Sequence, residues 1–400
     1  MIAISLLGLG LILVPVAYLT LLAIAAVRKP AATELLPRPT SYFAIVIPAH
    51  DEEDVIARTV TRMLRSQYPK HLYDVYVIAD HCTDGTAEHA RQAGATVLVR
   101  SGHERSGKGE ALQWCFDQVL KKERIDAVIL FDADSAVDSE FLRIMDSRLD
   151  SGSDAIQGQH TIANPDDGWF PALTWAMFAV DNRFHNLGRA NLGFSAKNMG
   201  DSICFRVDIL KRHGWGEGLT EDYDFRQRLL LDGIKIEYEP TAKAFGGAPA
   251  SLLQAMPQRE RWLAGSAVAS RARRNRLLAE GIRRGNLALI DGALQAWLPS
   301  YSTLTVLVVG SIVAQTVANK IFKIPFPTVL SAGWYLVLGL LFLYPLIGLA
   351  LEGMQLKAYV ALLSGPIFIV WRTSLAIKHR LMGGPRNWVR TARAETRASR

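Results

Sequence analysis

Two aspartates, Asp132 and Asp134, stand one residue apart directly after the apolar run 127–131. Side chains two residues apart in an extended chain point to the same side, so the two carboxylates can face one ligand. They suit a hard divalent cation, Mg²⁺ or Mn²⁺, which keeps part of its coordination shell for substrate phosphates. The alternative is a solvated turn that also caps the next helix. Taken alone, the pair fits either interpretation.

A second acidic group, Thr220-Glu221-Asp222, is placed where a helix should begin. Threonine is a favoured N-cap, and acids in the first turn suit the helix dipole. Capping accounts for Thr220 and for one acid. It does not account for the glycine-rich approach 214–218, which would let a ligand come close. The group therefore indicates either a helix start or a reactive carboxylate.

A third group starts an arginine-rich segment and contains Gln258, Arg261 and Trp262. Their i, i+3, i+4 spacing puts the amide, the guanidinium and the indole on one helix face. Such a face could hold a diphosphate and a sugar ring. A helix lying on the membrane surface would use the same residue types, so this alternative stays open.

Gly102, Gly107 and Lys108 nearly match the phosphate loop of ATP- and GTP-binding proteins, which ends in Gly-Lys-Ser/Thr. Gly109 stands where the hydroxyl that ligates Mg²⁺ should be, and the two aspartates described above are the better cation site. The NTPase interpretation is therefore excluded. The glycines would allow a ligand close to Lys108, or the segment is a flexible turn with a solvated lysine.

The elements that must position these groups follow an alternating pattern. Short runs rich in β-branched residues are each followed by a polar turn and an amphipathic stretch. The runs are 43–47, 75–79, 96–99 and 127–131, and the amphipathic stretches are 55–66, 86–93, 110–121 and 139–149. This alternation predicts βαβ units and a parallel sheet covered on both faces. The polar clusters fall at the carboxyl ends of the strands, where such sheets bind ligands.

The rest of the chain is apolar enough for a membrane. Residues 1–27, 292–319 and 324–351 contain no charged side chain, and each run exceeds the roughly 20 residues that span a bilayer. A fourth run, 358–371, is shorter and is typical of an interfacial, re-entrant or buried helix. We expect three spans and one non-spanning segment.

Charge predicts the orientation of these spans. Arg28 and Lys29 follow the first run, which is long for a signal peptide and has no basic residue before it. The positive-inside rule then places the middle of the chain in the cytoplasm. The tail 378–400 carries seven Lys/Arg against one Glu and is expected there too. Two C-terminal crossings would place both ends of the C-terminal membrane region in the cytoplasm. The pattern predicts a multi-pass protein of a bacterial-type inner membrane.

The net charge of +7 is uneven, since residues 259–284 hold eight Arg and two Glu. A basic helix beside a span indicates contact with anionic lipid headgroups rather than with nucleic acid. Cys82, Cys115 and Cys204 lack the spacing of a disulfide framework or a metal site and suit a reducing compartment.

These observations divide the chain into six parts. We expect an N-terminal transmembrane helix (1–27), a linker (28–40), an α/β domain (41–247), basic amphipathic interface helices (248–291), a C-terminal membrane region (292–377) and a basic cytoplasmic tail (378–400).

The order of the motifs resembles one enzyme family. "PAHDE", "ADHCTDGT", "DAD", "TED" and "QRERW" are similar to the hallmarks of the family 2 inverting glycosyltransferases. The membrane-integrated branch includes hyaluronan, chitin, cellulose and poly-N-acetylglucosamine synthases. The resemblance covers residues 41–262. It implies a GT-A fold, that is, an α/β, Rossmann-like, mostly parallel sheet in a cytoplasmic domain, with N- and C-terminal transmembrane helices.

The resemblance also implies roles. Asp222 would be the catalytic base, Asp134 would bind Mg²⁺ or Mn²⁺, and Glu221 and Trp262 would contact the acceptor. The donor-binding residues would be Pro48, Ala49, His50, Glu52, Asp80, Lys108, Asp132, Gln258 and Arg261. One departure is the pair Asp80-His81, where the family often has two adjacent acids.

The implied function is inverting transfer of a hexosyl or N-acetylhexosaminyl group from a nucleotide-sugar, most simply a UDP-sugar. The expected acceptor is a growing polysaccharide or oligosaccharide, and the alternative is a lipid or lipid-linked acceptor. Three spans are few helices to enclose a polymer channel. A polymer product would therefore require a homo-oligomer or an accessory subunit. The intact carboxylates argue against a non-enzymatic scaffold, and no nucleic-acid partner is expected.

Overall fold

The computed structural model describes residues 1–102 and 107–383. Part of the predicted glycine-lysine turn, 103–106, and most of the basic tail, 384–400, lie outside the described residues. Eight strands form one sheet in the order β3-β2-β1-β4-β7-β6-β8-β5. They are β1 (Phe43–Ala49), β2 (Tyr73–Asp80), β3 (Thr96–Arg100), β4 (Ala127–Leu130), β5 (Ala136–Val137), β6 (Ala155–Ile162), β7 (Ile203–Arg206) and β8 (Glu237–Gly246).

The first half of the sheet is the predicted parallel one. β1 pairs in parallel with β2 and β4, and β2 pairs in parallel with β3. The second half is mixed, because β7 runs antiparallel to both β4 and β6 while β6 and β8 are parallel. All four predicted strands and the helices after them are present, so the expected mostly parallel sheet is confirmed.

Helices cover both faces of this sheet. On β1, Phe43 and Ile45 pack toward one face, and Ala44 and Val46 pack toward the other. The first face is covered by α2 (Glu53–Met63), α3 (Thr86–Gln92) and α5 (Phe141–Asp150). The second is covered by α4 (Lys108–Val119), with α8 (Val207–His213) and α9 (Glu221–Leu231). Since both faces are covered there, the central strands β1 and β4 are apolar throughout.

The chain leaves the sheet twice. After β6 come α6 (Trp169–Val180), a π-helical segment (Asp181–Leu187) and α7 (Gly188–Asn191). After β8 come the long helix α10 (Leu252–Arg284) and α11 (Leu287–Trp297). These elements lie between the sheet and the apolar helices. They supply most of the contacts between the two regions.

Four helical segments are long and apolar enough to cross a membrane. They are α1 (Ile2–Ala25), α12 (Tyr301–Phe322), α13 (Thr328–Glu352) and the segment Leu356–Met382, which consists of α14 (Leu356–Ala361), a 3₁₀ turn (Leu362–Ser364) and α15 (Gly365–Met382). α1 packs along α13, where the Trp334 indole donates to Ser5 Oγ over 3.0 Å. The apolar helices confirm a membrane-associated architecture by length and composition.

Two predicted boundaries differ from the structure. The span expected from residue 292 begins at Tyr301, because α11 ends at Trp297 and Pro299 follows. The fourth apolar run of 14 residues is part of a 27-residue helical segment. The helix continues through Arg372, which faces an internal cavity, so the end of the uncharged run is not the end of the helix.

A buried polar cluster connects α1 to α7 and α11. The Arg189 guanidinium on α7 lies 3.1 Å from Asp291 Oδ2 on α11, and both side chains are 1 % exposed. The Tyr18 hydroxyl on α1 donates to Asp291 Oδ1 over 2.6 Å. Removing one partner of such a buried pair commonly costs about 3–5 kcal/mol, so this contact fixes α1 against the domain.

Candidate active site

One cavity of about 1930 Å³ opens at the carboxyl ends of β1, β2 and β4 and extends toward the apolar helices. Its walls come from those strand ends, the start of α9 and the first half of α10. Every residue to which the resemblance assigns a site role lines it, namely Pro48, Ala49, His50, Glu52, Asp80, Lys108, Asp132, Asp134, Glu221, Asp222, Gln258, Arg261 and Trp262. Groups far apart in the chain therefore share one space, while their individual roles remain predictions.

Lys108 and Asp132 form the centre of the charged wall. Lys108 Nζ lies 2.5 Å from Asp132 Oδ1 and donates to the Gly200 carbonyl over 2.7 Å. Burial lowers the pKa of Lys108, but the carboxylates of Asp132 and Glu221 raise it by more, so the net change is upward. The lysine therefore stays a fixed cation in the cavity and can face an anionic group.

The two acids at the start of α9 are held differently. Asp222 Oδ1 accepts from the backbone N–H of Tyr223 over 2.8 Å, and its other oxygen lies against Gly200, 3.1 Å from where a Cβ would stand. Burial raises the pKa of Asp222, whereas the Tyr223 N–H and Lys108 oppose that change. Burial and then the neighbouring Asp222 raise the pKa of Glu221 to about 7. Both carboxyls are more basic than they would be in water.

Thr220 begins α9 as the sequence indicated, but its side chain does not cap the helix. Thr220 occupies the N-cap position of α9, but its side chain accepts no capping hydrogen bond. Its Oγ1 and Cγ2 instead lie against Gly265 on α10, 2.7 Å from the position of a Cβ there. Among the described residues, Thr220 Oγ1 has no hydrogen-bond partner.

Gln258, Arg261 and Trp262 lie on the face of α10 that borders the cavity. Burial lowers the pKa of Arg261, while the carboxylates of Glu221, Asp132 and Asp222 oppose that change. This guanidinium thus lies within electrostatic range of the same acids as Lys108. Two cations near the same acids are an arrangement that can neutralise a departing diphosphate.

The opposite end of the cavity is built from β1 and β2. His50 Nδ1 lies 2.7 Å from the Asp80 carbonyl oxygen, and the Glu52 backbone N–H donates to Thr86 Oγ1 over 2.7 Å. The carboxylate of Asp80 lies 2.7 Å from Arg100 and 2.9 Å from His81. The residue that replaces a second acid therefore contacts Asp80 directly.

Residues 38–265 match the family model described as "Glycosyltransferase like family 2". The chain belongs to this family. The family model covers more than half of the sequence, from the linker through the Gln258–Trp262 motif. The suspected family is thereby confirmed.

Curated relatives of this glycosyltransferase make different products. A beta-monoglucosyldiacylglycerol synthase of Nostoc sp. is 31% identical over 234 residues, which are 56% of this chain and 48% of the relative. A poly-beta-1,6-N-acetyl-D-glucosamine synthase of Staphylococcus aureus is 26% identical over 229 residues, covering 55% and 53% of the two chains. The chain spans about half the length of the curated relatives it matches.

A solved structure shows the fold. The mannosyltransferase PcManGT from Pyrobaculum calidifontis, in complex with GDP-Man and Mn²⁺, superposes with a TM-score of 0.58 at 16% identity. The similarity covers 95% of this chain and 97% of that one. It therefore extends beyond the sheet to the helices around it, and the predicted GT-A fold is confirmed.

Asp134 remains the predicted position of the divalent cation. Asp134 Oδ2 lies beside Gly247, 3.0 Å from the position of a Cβ there, whereas Asp132 is engaged by Lys108. Within the described residues, the three-ligand group of acids, thiols or imidazoles is Asp51, Cys82 and Asp84, which does not include Asp134. A site with few protein ligands suits Mg²⁺ or Mn²⁺, which take the rest of their shell from phosphates and water.

Three functional neighbours were missed by the sequence reasoning. Asp201 Oδ1 accepts from the Asp132 backbone N–H and from Ser135 Oγ, each over 3.1 Å, and so fixes the aspartate turn. Asp201 Oδ2 lies 2.5 Å from His160 Nδ1. Burial lowers the pKa of His160, but Asp201 raises it by more. Arg100, the partner of Asp80, is the third. None belongs to a motif; each is a lone residue in or before a strand.

Proposed function

We propose that this glycosyltransferase moves a hexosyl or N-acetylhexosaminyl group from a UDP-sugar to an acceptor hydroxyl, with inversion at the anomeric carbon. The observation that carries the proposal is the shared cavity. Lys108, Arg261 and Asp222 come from three separate elements and line the same cavity. Both cations lie within electrostatic range of Asp132, Glu221 and Asp222. A binding module would have no need of two cations and a buried, basic carboxylate at one point.

The donor is proposed to lie across the strand ends. Its nucleoside occupies the end formed by β1 and β2, beside His50 and Asp80. Its diphosphate lies near Lys108 and Arg261, with Asp134 holding Mg²⁺ or Mn²⁺. The bound cation would act as a Lewis acid that offsets charge on the leaving diphosphate. Lys108 and Arg261 supply fixed positive charge at the same place, where negative charge grows in the transition state.

Asp222 is proposed to be the general base. The acceptor O–H gives its proton to the Asp222 carboxylate while its oxygen forms a bond to the anomeric carbon. The bond from that carbon to the diphosphate oxygen breaks, and UDP leaves with the electron pair. Attack opposite to the leaving group inverts the anomeric carbon. The raised pKa of Asp222, caused chiefly by burial, brings this base closer to neutral pH.

The acceptor is proposed to come from the membrane side. The cavity extends past Trp262 to the middle of α1 and the start of α12, where Tyr18, Leu19 and Leu304 line it. A growing saccharide end would fit the presence of the Gln258–Trp262 motif. A lipid-borne hydroxyl is the second candidate, favoured by the direct continuity between cavity and apolar helices. The relative that makes monoglucosyldiacylglycerol acts on a lipid, by its name.

We propose a bacterial-type inner membrane as the location, with the catalytic domain in the cytoplasm, where nucleotide-sugars are made. The four apolar helices and the basic residues that follow α1 support this orientation. The three spans expected from one chain, α1, α12 and α13, form a narrow bundle. A polymer product would therefore need a homo-oligomer or an accessory subunit to complete a channel.

Turnover of labelled donors tests the proposal. Membranes that contain the full chain are given radiolabelled UDP-glucose, UDP-N-acetylglucosamine, UDP-galactose or UDP-glucuronate, with Mn²⁺ or with EDTA. We expect one donor to label a membrane-extractable product in a Mn²⁺-dependent way, and mass spectrometry of that product identifies the acceptor. Membranes without the protein are the control. If no donor is consumed above that control under any condition, the proposed function is wrong.

A further inference from the structure

Apart from the acids Asp132, Glu221 and Asp222, the membrane-side wall of the cavity carries a second set of charges. Arg259 on α10, Arg372 on α15, Lys197 and Asp181 all line it. Asp181 Oδ1 is paired with Lys197 Nζ. These four side chains, three cations and one anion, carry a net charge of +2. The wall therefore attracts an anion.

The two arginines are neighbours across the α10–α15 contact. The Arg259 guanidinium lies 4.5 Å from the centre of the Trp262 ring and 5.9 Å from the centre of the Phe368 ring. Phe368 and Arg372 are four residues apart on α15, so they share one helix face. The Trp262 and Phe368 rings thus hold the Arg259 guanidinium close to the face of α15 that carries Arg372. Stacking of this kind restricts arginine to a defined orientation.

These charges repel each other and have few compensating partners. Burial, and then Arg372, lower the pKa of Arg259 to about 9. Arg259 Nε is buried and makes no hydrogen bond to any residue that the structure describes. Among residues 1–102 and 107–383, no carboxylate forms an ion pair with either arginine. The nearby Glu260 is engaged by Lys378, at 3.0 Å.

This wall is separate from the proposed diphosphate position. The Arg261 guanidinium is influenced by Glu221, Asp132 and Asp222, whereas none of these acids influences Arg259. The wall is nevertheless close to the reaction. Lys197 is three residues before Gly200, which touches Asp222, and three residues span at most about 11 Å.

We propose that Arg259 and Arg372 form an acceptor subsite that binds the phosphate group of a lipid headgroup. The inference rests on the proposed function and deepens it by naming an acceptor class. Paired guanidinium groups bind phosphate oxygens through charge-assisted, bidentate hydrogen bonds. The acyl chains would lie along α12 and α15, whose neighbouring residues Leu304 and Ala376 also line the cavity. The headgroup hydroxyl would then face Asp222.

Binding of radiolabelled dodecyl phosphate to the purified full chain tests the subsite. Saturating UDP and Mn²⁺ are present throughout, so that the donor site is occupied. We expect Arg372→Gln and Arg259→Gln each to weaken binding about tenfold or more, because a buried charged contact is lost. Arg380→Gln removes the same charge from an exposed position of α15 and should leave the affinity unchanged.

Three further comparisons make the result decisive. Arg372→Lys keeps the charge and should retain most of the binding, and UDP affinity in each variant reports a folded domain. Inorganic phosphate should displace the probe only weakly; if it binds as tightly as dodecyl phosphate, the site takes free phosphate and the lipid assignment is wrong. Unchanged dodecyl phosphate binding in Arg372→Gln would overturn the subsite itself.

The two proposals can fail independently. If dodecyl phosphate binds as expected but no UDP-sugar is turned over, the phosphate subsite stands and the transferase proposal is wrong. If a donor is turned over and neither arginine affects dodecyl phosphate binding, the subsite is wrong and the transferase proposal stands.

Discussion

Asp222 is subject to two opposing effects. Its place in the first turn of α9 favours the ionised carboxylate, and its burial favours the protonated one. Burial is the larger effect, so the carboxylate binds a proton more readily than an aspartate in water does. A base of this kind can accept the acceptor's proton at a pH nearer to neutrality.

The substitution Asp222→Asn keeps the shape of the side chain and removes the base. We expect turnover to fall about 10²–10⁴-fold, the usual cost of losing a general base, with UDP affinity nearly unchanged. Asp232→Asn, an exposed position at the other end of the same helix, is the matched control. Steady-state rates and UDP titrations measure both effects. Near-normal turnover in Asp222→Asn would remove it from the mechanism.

Glu221 gives a prediction about pH. Its pKa is raised from an ordinary value of 4.5 to about 7 by burial and by Asp222. Between these two values the unfolded chain has lost the proton and the folded protein has kept it. The free energy of unfolding must therefore fall as the pH rises through this range, by at most about 3 kcal/mol. Above pH 7 the free energy of unfolding has fallen by the full amount.

The substitution Glu221→Gln removes the ionisable group and therefore the loss of stability that its ionisation causes at high pH. We expect the variant to gain melting temperature relative to the wild-type protein at pH 8 and to gain much less at pH 5. Thermal unfolding in detergent at the two pH values measures the difference. A stability difference that does not depend on pH would show that Glu221 does not titrate in this range.

At the scale of elements, α9 and α10 must pack closely for the site to form. Gly265 on α10 faces the start of α9, and a Cβ there would stand 2.7 Å from two side-chain atoms of Thr220 and 2.9 Å from its backbone nitrogen. The backbone atom cannot move without shifting the first turn of α9. That turn carries Glu221 and Asp222.

Gly265→Ala should therefore separate the two helices. We expect a loss of about 1–3 kcal/mol of stability, the usual cost of overpacking, together with a fall in turnover. Gly310→Ala in α12 has no atom within 4 Å of the new methyl group and is the control. Melting temperatures and rates measure both. If Gly265→Ala is as stable and as active as Gly310→Ala, this helix contact does not position the site.

The sequence predicted those parts of the structure that depend on local patterns. The four β-branched runs became β1 to β4, and the polar residues after β1, β2 and β4 meet in one cavity. The pairing of His160 with Asp201 joins residues 41 positions apart (201 − 160) through the mixed half of the sheet, and no local pattern encodes it. Thr220 likewise depends on α10, a distant element, for its orientation.

At the scale of the whole molecule, the segment Leu356–Met382 is decisive for topology. It is long enough to cross a membrane, yet both ends contact the catalytic region. Lys357 pairs with Asp166 in the loop before α6, and Lys378 lies 3.0 Å from Glu260 on α10. A crossing helix would carry one end about 30 Å away. These contacts favour a segment that lies along the catalytic face.

Single cysteines test this orientation. We expect Lys357→Cys and Arg380→Cys to react only with a thiol reagent that has access to the cytoplasm, and Ile324→Cys, between α12 and α13, to react from outside. Cys82 is replaced by serine to remove the half-buried native thiol, whereas Cys115 and Cys204 are buried. Labelling of Arg380→Cys from outside would show that the segment spans and that the tail is external.

The most direct measurement for the whole account is an experimental structure of the full chain with a UDP-sugar and Mn²⁺. We predict the diphosphate between Lys108 and Arg261, the cation at Asp134, and the anomeric carbon facing Asp222. A nucleotide bound away from the cavity, or a sugar whose anomeric carbon points away from Asp222, would contradict the claim that these residues act together on one donor.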